Sequence, residues 1–243
     1  TLCPRMCAVD RKSGERGICG QTTEIKVARA ALHFWEEPCI SGEKGSGAVF
    51  FSGCALHCVF CQNENIANGT AGKVISTERL GKIFLELQEK GANNINLVTP
   101  GQFVPQIIKA VELARNQNLK IPIVYNTSSY ENVDTIRSLE GIVDIYLPDF
   151  KYFDTALSAK YSHAPDYPAV AKAVIAEMVR QTGAAVFENG EDSLMKRGTI
   201  VRHLILPGCT KDSKAVLKYL HETYENQISV SYTHLTLPTK LEV

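Results

Sequence analysis

Charge of either sign is not in excess in this sequence: 26 Lys and Arg balance 26 Asp and Glu. Nothing in the composition therefore marks a surface for nucleic acid or an anionic membrane. No apolar run approaches the ~18 residues that would suggest a membrane span. The opening TLCPRMCAVDRKSGERG lacks an apolar leader, which predicts a cytoplasmic protein. Disulfides are not expected either. A chain of 243 residues that is 44% hydrophobic can bury a core without covalent staples, and its eight cysteines then point to metal or redox use in a reducing compartment.

Three of those cysteines, Cys54, Cys58 and Cys61, fall on one short stretch, FFSGCALHCVFCQN, and no fourth accompanies them. A disulfide with a spare thiol suits small secreted chains. A structural zinc site closes with four ligands, and no second Cys-x-x-Cys-like pair lies close downstream. Inert buried cysteines are out of place on a loop that follows an apolar strand. An iron–sulfur cubane fits better, because clustered thiolates hold such clusters and three of them leave one iron open to a substrate or cofactor.

The pattern Cys-x-x-x-Cys-x-aromatic-Cys, here Cys54, Cys58, Phe60 and Cys61, resembles the signature of radical SAM enzymes. The wording SGC…CVFCQN resembles the branch that contains pyruvate formate-lyase activating enzymes and their uncharacterised relatives. The resemblance runs from about Cys3 to about Ser229. It implies a 4Fe-4S cluster on the three cysteines and S-adenosylmethionine chelating the open iron. Reductive cleavage of that cofactor would yield methionine and a 5′-deoxyadenosyl radical.

Residues 1–47 are polar and dotted with glycine and cysteine, and they read as an N-terminal appendage; only TEIKVARAALHF hints at periodicity. From Ala48 onward strands and helices alternate. AVFFS, NINLV, IPIVY, IVDIYL, TIVRHLILP and QISVS are the candidate strands. In the first long helix Leu80, Ile83, Phe84 and Leu87 share a face, with Ser76 as cap and Gly91 as stop. Val104, Ile107, Ile108, Val111 and Ala114 line the next helix. A further helix spans roughly Pro168 to Gln181, after a long polar connection. Such alternation implies parallel strands joined by right-handed crossovers. Six units are too few for an eight-stranded barrel, and the resemblance implies an open, partial (β/α)6 TIM-like barrel over residues 48–230. Gly42, Gly45 and Gly47 in GEKGSG imitate a phosphate loop, yet they precede a strand instead of joining a strand to a helix, and they read as a flexible approach to the barrel.

Chemistry is expected where strands end and helices begin. The resemblance implies cofactor contacts at those ends. Phe60 matches the aromatic that borders adenine. Thr99 opens TPG, where the activating enzymes carry a Gly-Gly-Glu-Pro-like turn, so the carboxylate of that turn is missing here. Asn126 and Ser128 in YNTSS fall where the family has Asp-Thr-Asn-Gly. Asp149 and Lys151 match an Asp-x-Lys element, and residues two apart in an extended segment point the same way. Arg202 matches an arginine that contacts the cofactor, which leaves His203 on the opposite face as a packing residue or as one that supports the site from behind. His57 reads as an ordinary loop residue.

In the appendage, Cys3, Cys7, Cys19 and Cys39 form a set able to build a second site, for zinc or a further cluster. Residues 231–243, VSYTHLTLPTKLEV less its first residue, lack a closing-strand pattern and read as an anomalous, artefactual tail without site residues, His234 included. The favoured function is a radical SAM enzyme of activating-enzyme type. A reductant such as flavodoxin or ferredoxin and a glycyl radical enzyme are its expected partners. The alternatives are radical modification of another substrate and a non-enzymatic iron–sulfur or zinc protein.

Overall fold

The computed structural model describes residues 2–188 and 193–234. After an irregular segment the chain forms β1 (Ile25–His33), which returns through the one-turn helix α1 (Pro38–Ser41) into β2 (Ser46–Phe51). The two strands pair antiparallel, Ala31 opposite Ala48 and His33 opposite Ser46. Next come α2 (Glu64–Ala67) and β3 (Lys73–Ile75), which pairs antiparallel with β1. The alternation then proceeds through α3 (Thr77–Glu89), β4 (Ile95–Val98), α4 (Val104–Arg115), β5 (Ile123–Thr127), α5 (Val133–Arg137) and β6 (Ile145–Pro148). It ends with α6 (Thr155–Ser162), α7 (Tyr167–Thr182), β7 (Val186–Phe187), β8 (Met195–Ile205), α8 (Thr210–Tyr224) and β9 (Ser229–His234).

The order β2-β4-β5-β6-β8-β9 is parallel at every step, and these are the six candidate strands of the sequence. β1 and β3 extend one edge. Among the described residues no pairing joins β9 to that edge, so the sheet is an open partial barrel. β8 is long enough to take further neighbours besides β6: its start pairs with β7 and its end with β9.

The appendage is bonded to the barrel's sheet, because β1 pairs along β2 and the sheet runs continuously across residue 47. Two expectations change. Gly47 is not a flexible approach but a buried strand residue opposite Ile95, where a Cβ would come within 3.0 Å of the Asn94 carbonyl oxygen and Leu87 Cβ. At the other end, β9 continues through His234, so the first four residues of the supposed tail are strand; residues 235–243 lie outside the described residues.

The first long helix, α3, forms as its apolar spacing dictates. Leu80, Ile83, Phe84 and Leu87 of α3 are buried, and the Ser76 hydroxyl accepts the Arg79 N–H at 3.2 Å as its cap. Strand alternation then sorts the sheet into two faces. Ile95, Leu97, Ile123, Tyr125 and Tyr146 pack outward under α3 and α4. Val124, Ile145, Leu147 and Ile200 point into the barrel, where Ile40 of α1 plugs the floor. No helix among the described residues is long and apolar enough to cross a membrane.

Candidate radical SAM site

Two residues beyond the plugged layer, period-2 alternation returns side chains to the lumen. Asn126 follows Val124, Asp149 follows Leu147, and Arg202 follows Ile200. At these three positions the sequence is polar, and the three side chains meet. Arg202 donates to Asp149 Oδ1 at 3.0 Å and to Asn126 Oδ1 at 2.6 Å. Lys151, two further along from Asp149, bonds Asp149 Oδ2 at 2.6 Å. Burial pushes the Asp149 carboxyl up, but Lys151 and Arg202 together outweigh it and hold its pKa below the ordinary value.

A residue that sequence reasoning missed completes this layer. Glu36, on the loop before α1, accepts from Arg202 at 2.9 Å, from Asn96 Nδ2 at 2.7 Å and from Asn126 Nδ2 at 3.2 Å. The turn after β4 carries no carboxylate, as its sequence TPG shows; one enters the same lumen from the loop before α1 instead.

The cysteine loop leaves the end of β2 and forms the wall above this layer. Cys54, Cys58, Phe60 and Cys61 line one cavity of ≈ 660 Å³ with Thr99, Asn126 and Ser128, and with Asp149, Lys151 and Arg202. All ten residues expected there are thus brought together. Thr99 holds a positive φ of 55° while its N–H reaches the Asn126 carbonyl at 2.9 Å. Gln102 ties the turn to the loop, donating to the carbonyls of Ser52, Gly53 and Thr99. Phe60 stands edge-on to Tyr152 and Tyr161. His203 is buried with Nδ1 2.7 Å from the Phe150 carbonyl, yet it also lines this cavity, and its Nε2 has no hydrogen-bond partner. His57 is less idle than its loop position suggests: its ring bridges the Ile18 carbonyl and Asn68, joining the appendage to the cysteine loop.

The donor set fits a thiolate-held cluster. Burial raises the Cys54 thiol to about 11, so its thiolate needs a strong positive partner; the Leu56 N–H at 3.4 Å and the charge of Lys151 favour the ionised form. Ser162 donates to Cys58 Sγ at 2.9 Å and is itself paired with the Tyr152 hydroxyl at 2.7 Å. Ser162 was not anticipated, because α6 lies within what read as a polar connection. Among the described residues no group of three or more His, Cys, Asp or Glu is arranged to hold a single metal ion. Thiolates of an iron–sulfur cluster bind separate irons and do not have to converge on one point.

Cys3, Cys7 and Cys19 line a second cavity, of ≈ 250 Å³, whose wall shares Cys54, Thr99, Thr127 and Ser128 with the first. Cys39 is elsewhere: it packs on the Ile40 cluster at the barrel floor, so the expected four-cysteine set does not assemble.

The fold and this constellation define a class, and comparison agrees. The chain belongs to the radical SAM superfamily, whose family model matches residues 48–240. It is 25% identical over 238 residues to an uncharacterized protein of Methanocaldococcus jannaschii, covering 93% of this chain and 63% of that one. The chain therefore spans less than two thirds of that relative's length. Among solved structures it resembles Streptococcus suis SuiB bound to S-adenosylmethionine, with a TM-score of 0.51 at 15% identity over 77% of this chain and 39% of that chain. Another crystal structure of Streptococcus suis SuiB gives a TM-score of 0.50 at 13% identity over 80% and 40% of the two chains. At these identities the likeness shows the fold.

Proposed function

We propose that this protein cleaves S-adenosylmethionine reductively, forming methionine and a 5′-deoxyadenosyl radical, and that the radical abstracts hydrogen from a glycine of a partner glycyl radical enzyme. The observation that carries the first part is the three-thiol loop without a fourth ligand, set over a lumen lined by paired cations. A 4Fe-4S cluster on Cys54, Cys58 and Cys61 would supply the single electron, delivered by a reductant of the flavodoxin or ferredoxin class. Lys151, whose ammonium already faces the cysteine loop, receives the methionine carboxylate. Asp149 fixes it in that direction. Phe60 borders the adenine, and Thr99, Asn126 and Ser128 offer polar groups to the amino and ribose portions. Support for a polypeptide hydrogen donor comes from two exposed aromatic residues of the cavity lining, Trp35, 89% exposed, and Tyr232, 60% exposed. Such aromatic side chains are enriched at protein interfaces.

Anaerobically reconstituted protein is expected to form 5′-deoxyadenosine from S-adenosylmethionine and dithionite, and its reduced cluster signal in electron paramagnetic resonance should shift on cofactor addition. No 5′-deoxyadenosine above the buffer level, with an unshifted signal, would return the cysteines to a non-enzymatic cluster. Mixing with candidate partners tests the finer reading: a glycyl radical signal supports it, and deuterium transfer into 5′-deoxyadenosine from a small molecule instead removes it.

Lys151→Ala should keep the cluster and weaken cofactor binding. A hydrogen bond to a charged group contributes roughly 1.5 to 3 kcal/mol, which corresponds to about a tenfold to hundredfold loss of affinity. Asp149 keeps Arg202 at 3.0 Å in the variant, so no buried carboxylate is stranded. Titration of the spectral shift reads the result, and equal midpoints would reduce Lys151 to a structural partner of Asp149.

A further inference from the structure

We propose that Cys3, Cys7 and Cys19, with Glu131 as an oxygen ligand, form a second thiolate-ligated metal centre beside the cysteine loop. The first observation is the gathering of the thiols. Cys3 lies near enough to Cys7, Cys19 and Glu131 that all three charges act on it, and the four side chains line one cavity. Cys7 owes its place to a glycine: a Cβ on Gly17 would come 2.7 Å from Cys7 Sγ, and the Ile18 N–H donates to that sulfur at 3.4 Å.

The second observation is independent of the thiols. Glu131 is 5% exposed, and its Oε2 has no hydrogen-bond partner, while Oε1 takes the Thr127 hydroxyl. A buried carboxylate oxygen left bare is costly. Room for it is nonetheless built in, since a Cβ at position 101 would stand 3.0 Å from Glu131 Oε1 and Gly101 has none. A cation in this cavity would satisfy that oxygen and the thiolates at once.

The appendage is docked firmly enough to present such a site. The Leu2 carbonyl accepts from Asn132 N–H and from Thr135 Oγ1 at 2.9 Å, next to Glu131 in the chain. Arg5 donates to the Ala55 carbonyl at 2.8 Å and lies over the Tyr130 ring; Arg11 donates to the Gln102 carbonyl at 2.8 Å. Because these side chains do not yet surround a single point, binding draws the thiols inward. Soft thiolate donors select zinc or an iron–sulfur cluster over hard cations, and the two share this site chemistry. The proposal does not depend on cleavage of S-adenosylmethionine.

The test uses the full chain carrying Cys58→Ala and Cys61→Ala, which disables the loop but leaves Cys54, common to both cavities. It is loaded in separate arms with Zn²⁺ and, anaerobically, with iron and sulfide, then desalted and analysed. One retained centre per chain in either arm, lost on adding Cys3→Ser and Cys7→Ser, supports the proposal, and the arm that retains it names the metal. Retention in neither arm, or retention that survives those serines, overturns it. If the loop variant fails to fold, Cys7→Ser in the otherwise native chain serves: total metal should fall while the signal of the loop cluster persists, and unchanged metal overturns the proposal. Glu131→Gln should lower metal affinity by at least the ~10-fold that loss of an outer-shell partner costs. Unchanged affinity would remove Glu131 from the ligand set.

Discussion

Replacing Cys58 with alanine is expected to abolish the electron paramagnetic resonance signal that responds to S-adenosylmethionine. The effect should be complete, because the loop carries only three thiols and each is needed to hold the cluster. Cys58 is also the sulfur with the most elaborate support. It takes the Ser162 hydroxyl at 2.9 Å, and Tyr152 stands behind Ser162 at 2.7 Å. Iron content alone is the wrong readout, since under the proposal above the appendage holds metal of its own; the cofactor-responsive signal isolates the loop. A Cys58→Ala protein with that signal intact would show that the ligand assignment is wrong. Ser162→Ala, by contrast, leaves all three thiols in place and removes one donor from Cys58, so the signal should persist with an altered potential.

Much of this architecture is legible in the sequence because each parallel strand is a short apolar run between turn residues, and because functional side chains sit two residues past it. Asp149 and Lys151 could be placed on one side by counting alone. β1 is harder to read: IKVARAALH lies between the short edge strand β3 and β2, with uneven burial that leaves Arg29 exposed. α6 escapes for a different reason. Its sequence TALSAKYS buries Ser158 and Ser162 instead of an apolar stripe, so no helical periodicity marks it. Glu36 could not be found at all by local reasoning, since its partner Arg202 is 166 positions away and its neighbour Trp35 is exposed. Nor could counting separate Cys39 from Cys3, Cys7 and Cys19. That separation is set by the β1–β2 hairpin, which carries Cys39 to the floor of the barrel while the other three remain at its open end.

Arg202→Ala should be the most destabilising single change in the lumen. Arg202 is 26% exposed and bridges Glu36, 11% exposed, and Asp149, 21% exposed. Its own burial opposes the charge, yet the two carboxylates prevail and raise its pKa. Truncation leaves both acids in a poorly solvated layer. Lys151 still neutralises Asp149, whereas Glu36 retains only the amides of Asn96 and Asn126. Removing one partner of a buried ion pair typically costs 3 to 5 kcal/mol, and the partial exposure here argues for the lower end, roughly 3 kcal/mol. Most of that cost resides in the stranded Glu36 charge, so Glu36→Gln should recover a large part of it in the double variant. Urea unfolding of wild type, both single variants and the double variant measures the coupling. Strictly additive effects would mean that Glu36 and Arg202 do not act as a unit, and the floor of the cavity would then owe its order to the apolar plug around Ile40 alone.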